Sequence, residues 1–187
     1  MGRKSGWILG VATVIAVGSV GLRAETQAPD ACVERQTLPA QVRPLTCRTA
    51  VRVIDGMARS ATLRRMIDRV GELNGIVYVR DAYYVDARTK RVLSGALSHA
   101  ITMAGAHRIL HVMVAPESGD RSLITLAHKL QHAIEVLEAD DVITEAAVDR
   151  LFERIGVRVD ASVMETASAV DVGRAVAREL STPRSGS

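Results

Sequence analysis

Two histidines four residues apart, His128 and His132, stand inside the apolar-periodic stretch ITLAHKLQHAIEVLEADDV. On an α-helix this interval turns by about 40°, so both imidazoles project from one face across a single turn. Two neutral imidazoles placed in this way can share one Zn²⁺ ion. Glu135 falls on the same face, about 20° from His128 but about 10 Å further along the axis. That offset suits it to accepting a hydrogen bond from His132, or to pairing with a base, rather than to reaching the ion. His107 and His111 repeat the interval, but in a strand at about 3.3 Å per residue they stand some 13 Å apart, too far for one ion. His111, among Ile109, Val112 and Met113, reads as a core residue, and His99 has still less to recommend it as a ligand. Tyr83 and Tyr84 offer phenols that could serve an oxyanion, although neighbours on a strand alternate, one buried and one exposed. Glu138-Ala139-Asp140-Asp141 reads as a solvated helix end, with calcium binding the remoter option because no EF-hand loop pattern accompanies it.

The same stretch resembles the histidine helix of zincin-type metallopeptidases, whose signature is HExxH. Here it reads His128-Lys129-Leu130-Gln131-His132, with apolar residues before it and AIEV after it, and is similar to small exported zincin-like proteins of bacteria. The wider order of a helix, strands, a strand edging the site, the histidine helix and a later glutamate helix is also similar to that group. The resemblance implies an α+β, zincin-like fold in which a small, mainly antiparallel sheet is packed on helices. It implies zinc as cofactor and Glu165, in METASAVDVG 33 residues beyond His132, as the third ligand. The aspartate that follows this glutamate closely in some relatives is displaced to Asp171. Ser162-Val163-Met164-Glu165 also has the form of a capping box, which leaves Glu165 a purely structural alternative.

One departure from the family pattern bears on activity. The motif glutamate of a working zincin takes a proton from the metal-bound water, and Lys129 occupies its place. An ammonium has no acceptor lone pair, so peptide hydrolysis by the usual mechanism is disfavoured.

The elements that must position these residues follow from periodicity. Ser60 caps a helix with apolar positions Leu63, Met66, Ile67, Val70 and Leu73, stopped at Asn74-Gly75. IVYVRDAYYVDA and RVLSGALSHAITMAG read as strands of an antiparallel set, and RILHVMVA, residues 108 to 115, as a central strand. Leu123, Leu126, Ala127, Leu130, Ile134 and Leu137 form the stripe of the histidine helix, with Ser122 near its start. A further helix runs from a Thr144 cap to Gly156, and the last one opens near Ser162 and passes Val172 and Val176 to Leu180.

The chain begins with Arg3 and Lys4, an apolar run from Trp7 to Leu22, then Arg23 and Ala24, the layout of a secretory signal. The sixteen positions of this run make roughly 24 Å of helix, short of a roughly 30 Å hydrocarbon core, so cleavage is favoured over an N-terminal anchor. The formal net charge of +3 belongs to this segment, because it holds Arg3, Lys4 and Arg23 and no acid. A neutral remainder with 3% aromatic residues excludes a nucleic-acid partner. Cys32 and Cys47 are the only cysteines, and an even pair in an exported chain points to a disulfide. The expected organisation is a signal or anchor at 1–24, an extended arm at 25–50 stapled by that bridge, a zincin-like domain at 51–181 and a disordered tail at 182–187.

The reading of the sequence is therefore an exported zincin-like metallopeptidase homologue, periplasmic or secreted, that binds metal but is catalytically impaired. Its alternatives are a metal-free binding or structural module on the same fold, and an active zinc hydrolase with a non-standard base. A peptide or protein is the expected ligand, and membrane contact is expected only through the N-terminal segment.

Overall fold

A computed structural model describes residues 38–86, 89–117, 119–160 and 163–182. The signal or anchor segment, the first half of the arm, Ser162 and the tail beyond Thr182 lie outside the described residues. Among the described residues no helix is long and apolar enough to cross a membrane.

The order of elements begins with β1 (Val42–Pro44), α1 (Cys47–Arg59), α2 (Ala61–Glu72) and β2 (Gly75–Asp81). Short strands β3 (Tyr84–Val85), β4 (Val92–Leu93), β5 (Gly95–Leu97) and β6 (Thr102–Ala104) lead to the long β7 (His107–Val114). Then come α3 (Asp120–Glu138), α4 (Glu145–Ile155), β8 (Val157–Arg158), β9 (Met164–Glu165) and α5 (Ala167–Ser181). The fold is α+β with a mixed sheet, ordered β1-β2-β7-β5, with β6 also on β7.

The expectation of a mainly antiparallel sheet is corrected. β1, β2 and β7 are mutually parallel, and only β5 and β6 run antiparallel to β7. The cause is the pair of helices α1 and α2 between β1 and β2, which carries the chain back to its starting end and makes the crossover that a parallel pair requires. The first turn of α1 falls in the stretch read as an extended arm. Thr46 caps α1 through a hydrogen bond accepted from the Thr49 amide, and Thr49, Ala50, Val53 and Gly56 form its buried face. A Cβ at Gly56 would come within 2.7 Å of both Leu63 and Leu123, so the missing side chain lets α1 close on α2 and α3.

Alternation along the central strands puts one face of the sheet in the core. Val77 and Val79 of β2 stand opposite Leu110 and Val112 of β7, and all four are fully buried beneath the helices. His111 points to the other face, where its ring stacks on Tyr78 at 5.4 Å, away from α3. On the helical side Leu63, Ile67, Val70, Leu123, Leu126, Leu130 and Leu137 fill the core, the stripe expected from their three-and-four spacing.

The histidine helix starts at Asp120, two residues before Ser122, with Gly119 as its N-cap. Its other end is held by Arg108 of β7, which is only 4% exposed. Arg108 donates to the carbonyls of Val136, Leu137, Ala139 and Val142 at 2.6 to 3.2 Å, satisfying the helix end that would otherwise be orphaned in the core.

Of the expected Cys32–Cys47 disulfide, Cys32 lies outside the described residues. Cys47 opens α1 and is not a free thiol. What holds the start of the domain here is β1 pairing with β2 and the Thr46 cap.

Candidate metal centre

The stripe that buries α3 also turns His128 and His132 toward α5, the helix it packs against most extensively. Gly173 of α5 passes over His128, at 3.7 Å from where its Cβ would lie to the ring Nδ1. The two imidazoles sit edge to face at 4.9 Å between centroids. Phe152 of α4 closes the other side, its ring edge-on to His132 at 5.1 Å. His99 stacks on the far side of Phe152 and contacts Asp149 at 2.7 Å, so it flanks the wall without joining the cluster.

Glu165 arrives from a different element than expected. It is the last residue of β9, paired with Val157, and the helix behind it begins at Ala167 with Thr166 as its cap. The Thr166 hydroxyl accepts from the Ala169 amide at 3.2 Å, so the capping-box role considered for Glu165 is not the one the backbone uses. The carboxylate is left to enter the site. Its Oε2 contacts His128 Nε2 and lies 3.5 Å from His132 Nε2, while its Oε1 lies 3.6 Å from Lys129 Nζ.

His128, His132 and Glu165 thus each present one ligand atom, and the three atoms lie within 4.8 Å of one another. All three, His128 Nε2, His132 Nε2 and Glu165 Oε2, are buried and have no hydrogen-bond partner. Three unsatisfied polar atoms converging in one place is costly for a fold, at about 1 to 3 kcal/mol for each buried atom left unpaired. Two imidazole nitrogens and a carboxylate oxygen are the donor set of a zinc-type site, and a cation would satisfy all three at once.

The surrounding residues support this use of the lone pairs. His132 donates from Nδ1 to Glu135 Oε2 at 3.0 Å, which selects the tautomer whose Nε2 lone pair faces the cluster. Glu135 is held in turn by the Thr166 hydroxyl, which donates to its Oε1 at 2.7 Å. One threonine therefore caps α5 and locks the partner of a site histidine.

Lys129 points into the same centre, with 15% of its side chain exposed. A Cβ at Gly95 of β5 would meet Thr125 at 2.5 Å and come within 3.5 Å of the Lys129 stem, so the strand backbone lies flush against it. Burial pulls the Lys129 amine below its usual pKa, partly offset by the charges of Glu165 and Glu135.

The other candidates fall elsewhere. Tyr83 and Tyr84 are both exposed, against the expected alternation, because Tyr83 precedes the two-residue β3 and Tyr84 belongs to a hairpin off the main sheet. Asp140 is fully exposed beyond the end of α3, as a solvated helix end would be. Phe152, Thr166, Gly95 and Gly173 escaped the sequence reading, and only the threonine, at the position before a helical run, carried a local signal.

Fold and site together define an α+β protein with a mixed sheet and a His-His-Glu cluster able to hold a metal ion. No family model, no curated protein and no solved structure matches the chain.

Proposed function

We propose that this chain is an exported, zincin-like protein that binds a divalent metal ion, zinc by its donor set, through His128, His132 and Glu165. The observation that supports this most is the convergence of three buried ligand atoms that have no other partner. Bound there, zinc would act as a Lewis acid toward a further oxygen ligand. The residues of this chain supply the rest. Glu135 and Thr166 orient His132, Phe152 screens the centre from water, and Lys129 presents an ammonium where a hydrolase of this kind needs a carboxylate base. Peptide hydrolysis by the usual route is accordingly not expected. Action outside the cytoplasm, periplasmic or secreted, rests on the pattern of the first 24 residues.

Metal analysis of the purified protein by plasma mass spectrometry tests this reading. About one equivalent of zinc, absent from a His128→Ala/His132→Ala variant of unchanged circular dichroism, is the expected result. No metal after incubation with zinc would sink it.

A second reading is a metal-free exported binding or structural module on the same fold, and the Lys129–Glu165 ion pair favours it, since an internal cation already faces the carboxylate. The ammonium meets only Oε1, however, and leaves Oε2 and both imidazole nitrogens unsatisfied. For that reason the metal-binding reading is preferred.

A further inference from the structure

We infer that Lys129 makes this centre an oxyanion receptor: with the metal in place, the site takes a carboxylate or phosphate group as its ligand, held jointly by the ion and the ammonium. The inference rests on the metal-binding reading above and adds the ligand class to it.

Charge is the first argument. A divalent ion is balanced by the two carboxylates that face the histidines, Glu165 in the cluster and Glu135 behind His132. The ammonium of Lys129 then stands in excess, so the centre carries one uncompensated positive charge in a partly buried place, where electrostatic interactions are stronger than in water. A neutral fourth ligand leaves that charge unmet, whereas a monoanion cancels it.

Hydrogen bonding is the second. Lys129 has three N–H donors, and its single ion pair among the described residues is with Glu165 Oε1 at 3.6 Å. One carboxylate oxygen engages at most one of these donors, so the others remain for a ligand. The division of labour within Glu165 is the third: Oε2 faces the imidazoles and Oε1 faces the ammonium, so metal and lysine engage different atoms of one carboxylate and do not compete for the same lone pair. The stem of Lys129 runs beside Gly95 of β5, and only 15% of its side chain is exposed, which limits the ordering that ligand capture would require.

The test uses the full chain loaded with cobalt(II), whose visible bands report the ligands of the ion. Acetate and inorganic phosphate are the anionic probes and acetamide is the neutral control. The expected result is saturable change with both anions, none with acetamide, and an apparent Kd for acetate raised at least tenfold in Lys129→Met at equal cobalt content. Lys129→Arg, which keeps the charge, should stay within about threefold of the parent. Equal acetate affinity in Lys129→Met and the parent, or an equal response to acetamide, would overturn the inference while leaving the metal site standing. Failure to take up cobalt or zinc at all would overturn the metal-binding reading, and this inference with it.

Discussion

Helix α5 is tied to the rest of the molecule by a carboxylate at each end, and the two are treated in opposite ways. Near its C-terminus, Glu179 accepts from the Ser60 hydroxyl at 2.5 Å, the Thr62 hydroxyl at 2.6 Å and the Thr62 amide at 3.0 Å. Those donors belong to the start of α2, so Glu179 completes the cap of a neighbouring helix and docks α5 on it. Just before the N-terminus, Glu165 faces two imidazole nitrogens and an ammonium, and its Oε2 has no hydrogen-bond partner. At Glu179 the cost of desolvation, which favours the neutral acid, is outweighed by the Ser60 and Thr62 donors. The difference lies in what the neighbours offer: hydroxyl and amide donors finish a carboxylate, whereas imidazole lone pairs beside a carboxylate oxygen leave room for a cation. A carboxylate of the first kind belongs to the fold, and one of the second kind belongs to a ligand.

The sharpest way to separate the two ends is to add the metal. Zinc at a thousandfold excess over its Kd should raise unfolding stability by about 4 kcal/mol, read as a shift of the urea midpoint. The gain should vanish in His128→Ala/His132→Ala and persist in Glu179→Gln.

Next in size is the loss of Arg108, the cation that serves the fold at the far end of the histidine helix. Arg108→Met keeps the stem but strands the carbonyls of Val136, Leu137, Ala139 and Val142, and should cost about 3 kcal/mol by urea denaturation. A loss under about 1 kcal/mol would show that water replaces the guanidinium at this helix end.

Glu179→Gln should cost about 1 to 2 kcal/mol at pH 7 and should also change the pH profile. Because the folded carboxyl lies below its usual 4.5, its contribution is fully present above that value and is lost as pH falls through the depressed folded value. Stability at pH 7 minus that at pH 3 should therefore be smaller in the variant than in the parent. An unchanged difference would remove Glu179 from the account of acid sensitivity.

The smallest expected effect has the opposite sign. A Cβ on Gly173 would make only ordinary contacts, at 3.7 and 3.8 Å, with His128 and Ile124. Gly173→Ala should thus stabilise the helix by about 0.5 to 1 kcal/mol with metal content unchanged. Loss of metal in this variant would show that α5 has no freedom to shift over the site.

What could be read from the chain was what is local. The stripe from Leu123 to Leu137, the Ser60 and Thr144 caps and the shared face of His128 and His132 follow from helix geometry alone, because side chains three and four apart meet whatever else the protein does. The hydrogen bond from His132 to Glu135 belongs to the same class, being made within one turn. Helix α1 was less legible, since its start, three residues after Pro44, falls in the stretch read as an extended arm, and the role of Gly56 shows only once α2 and α3 are seen packed against it.

The tertiary structure decided the direction of the sheet, the backbone of Glu165 and the surroundings of Lys129. Parallel pairing of β1 with β2 depends on a crossover whose handedness and length no two-residue pattern reveals. Glu165 meets the histidines only because the β8–β9 hairpin delivers it and α5 packs along α3, and Thr166, one residue on, takes the capping duty that the Ser-x-x-Glu spelling had suggested for the glutamate. The HKLQH spelling showed by itself that a lysine stands in the motif; that its ammonium shares a carboxylate with two unsatisfied imidazoles is a matter of two elements, α3 and β9, meeting in space. Sequence spacing determines which side chains share a helix face, whereas contacts between distant segments depend on how those faces are buried against one another.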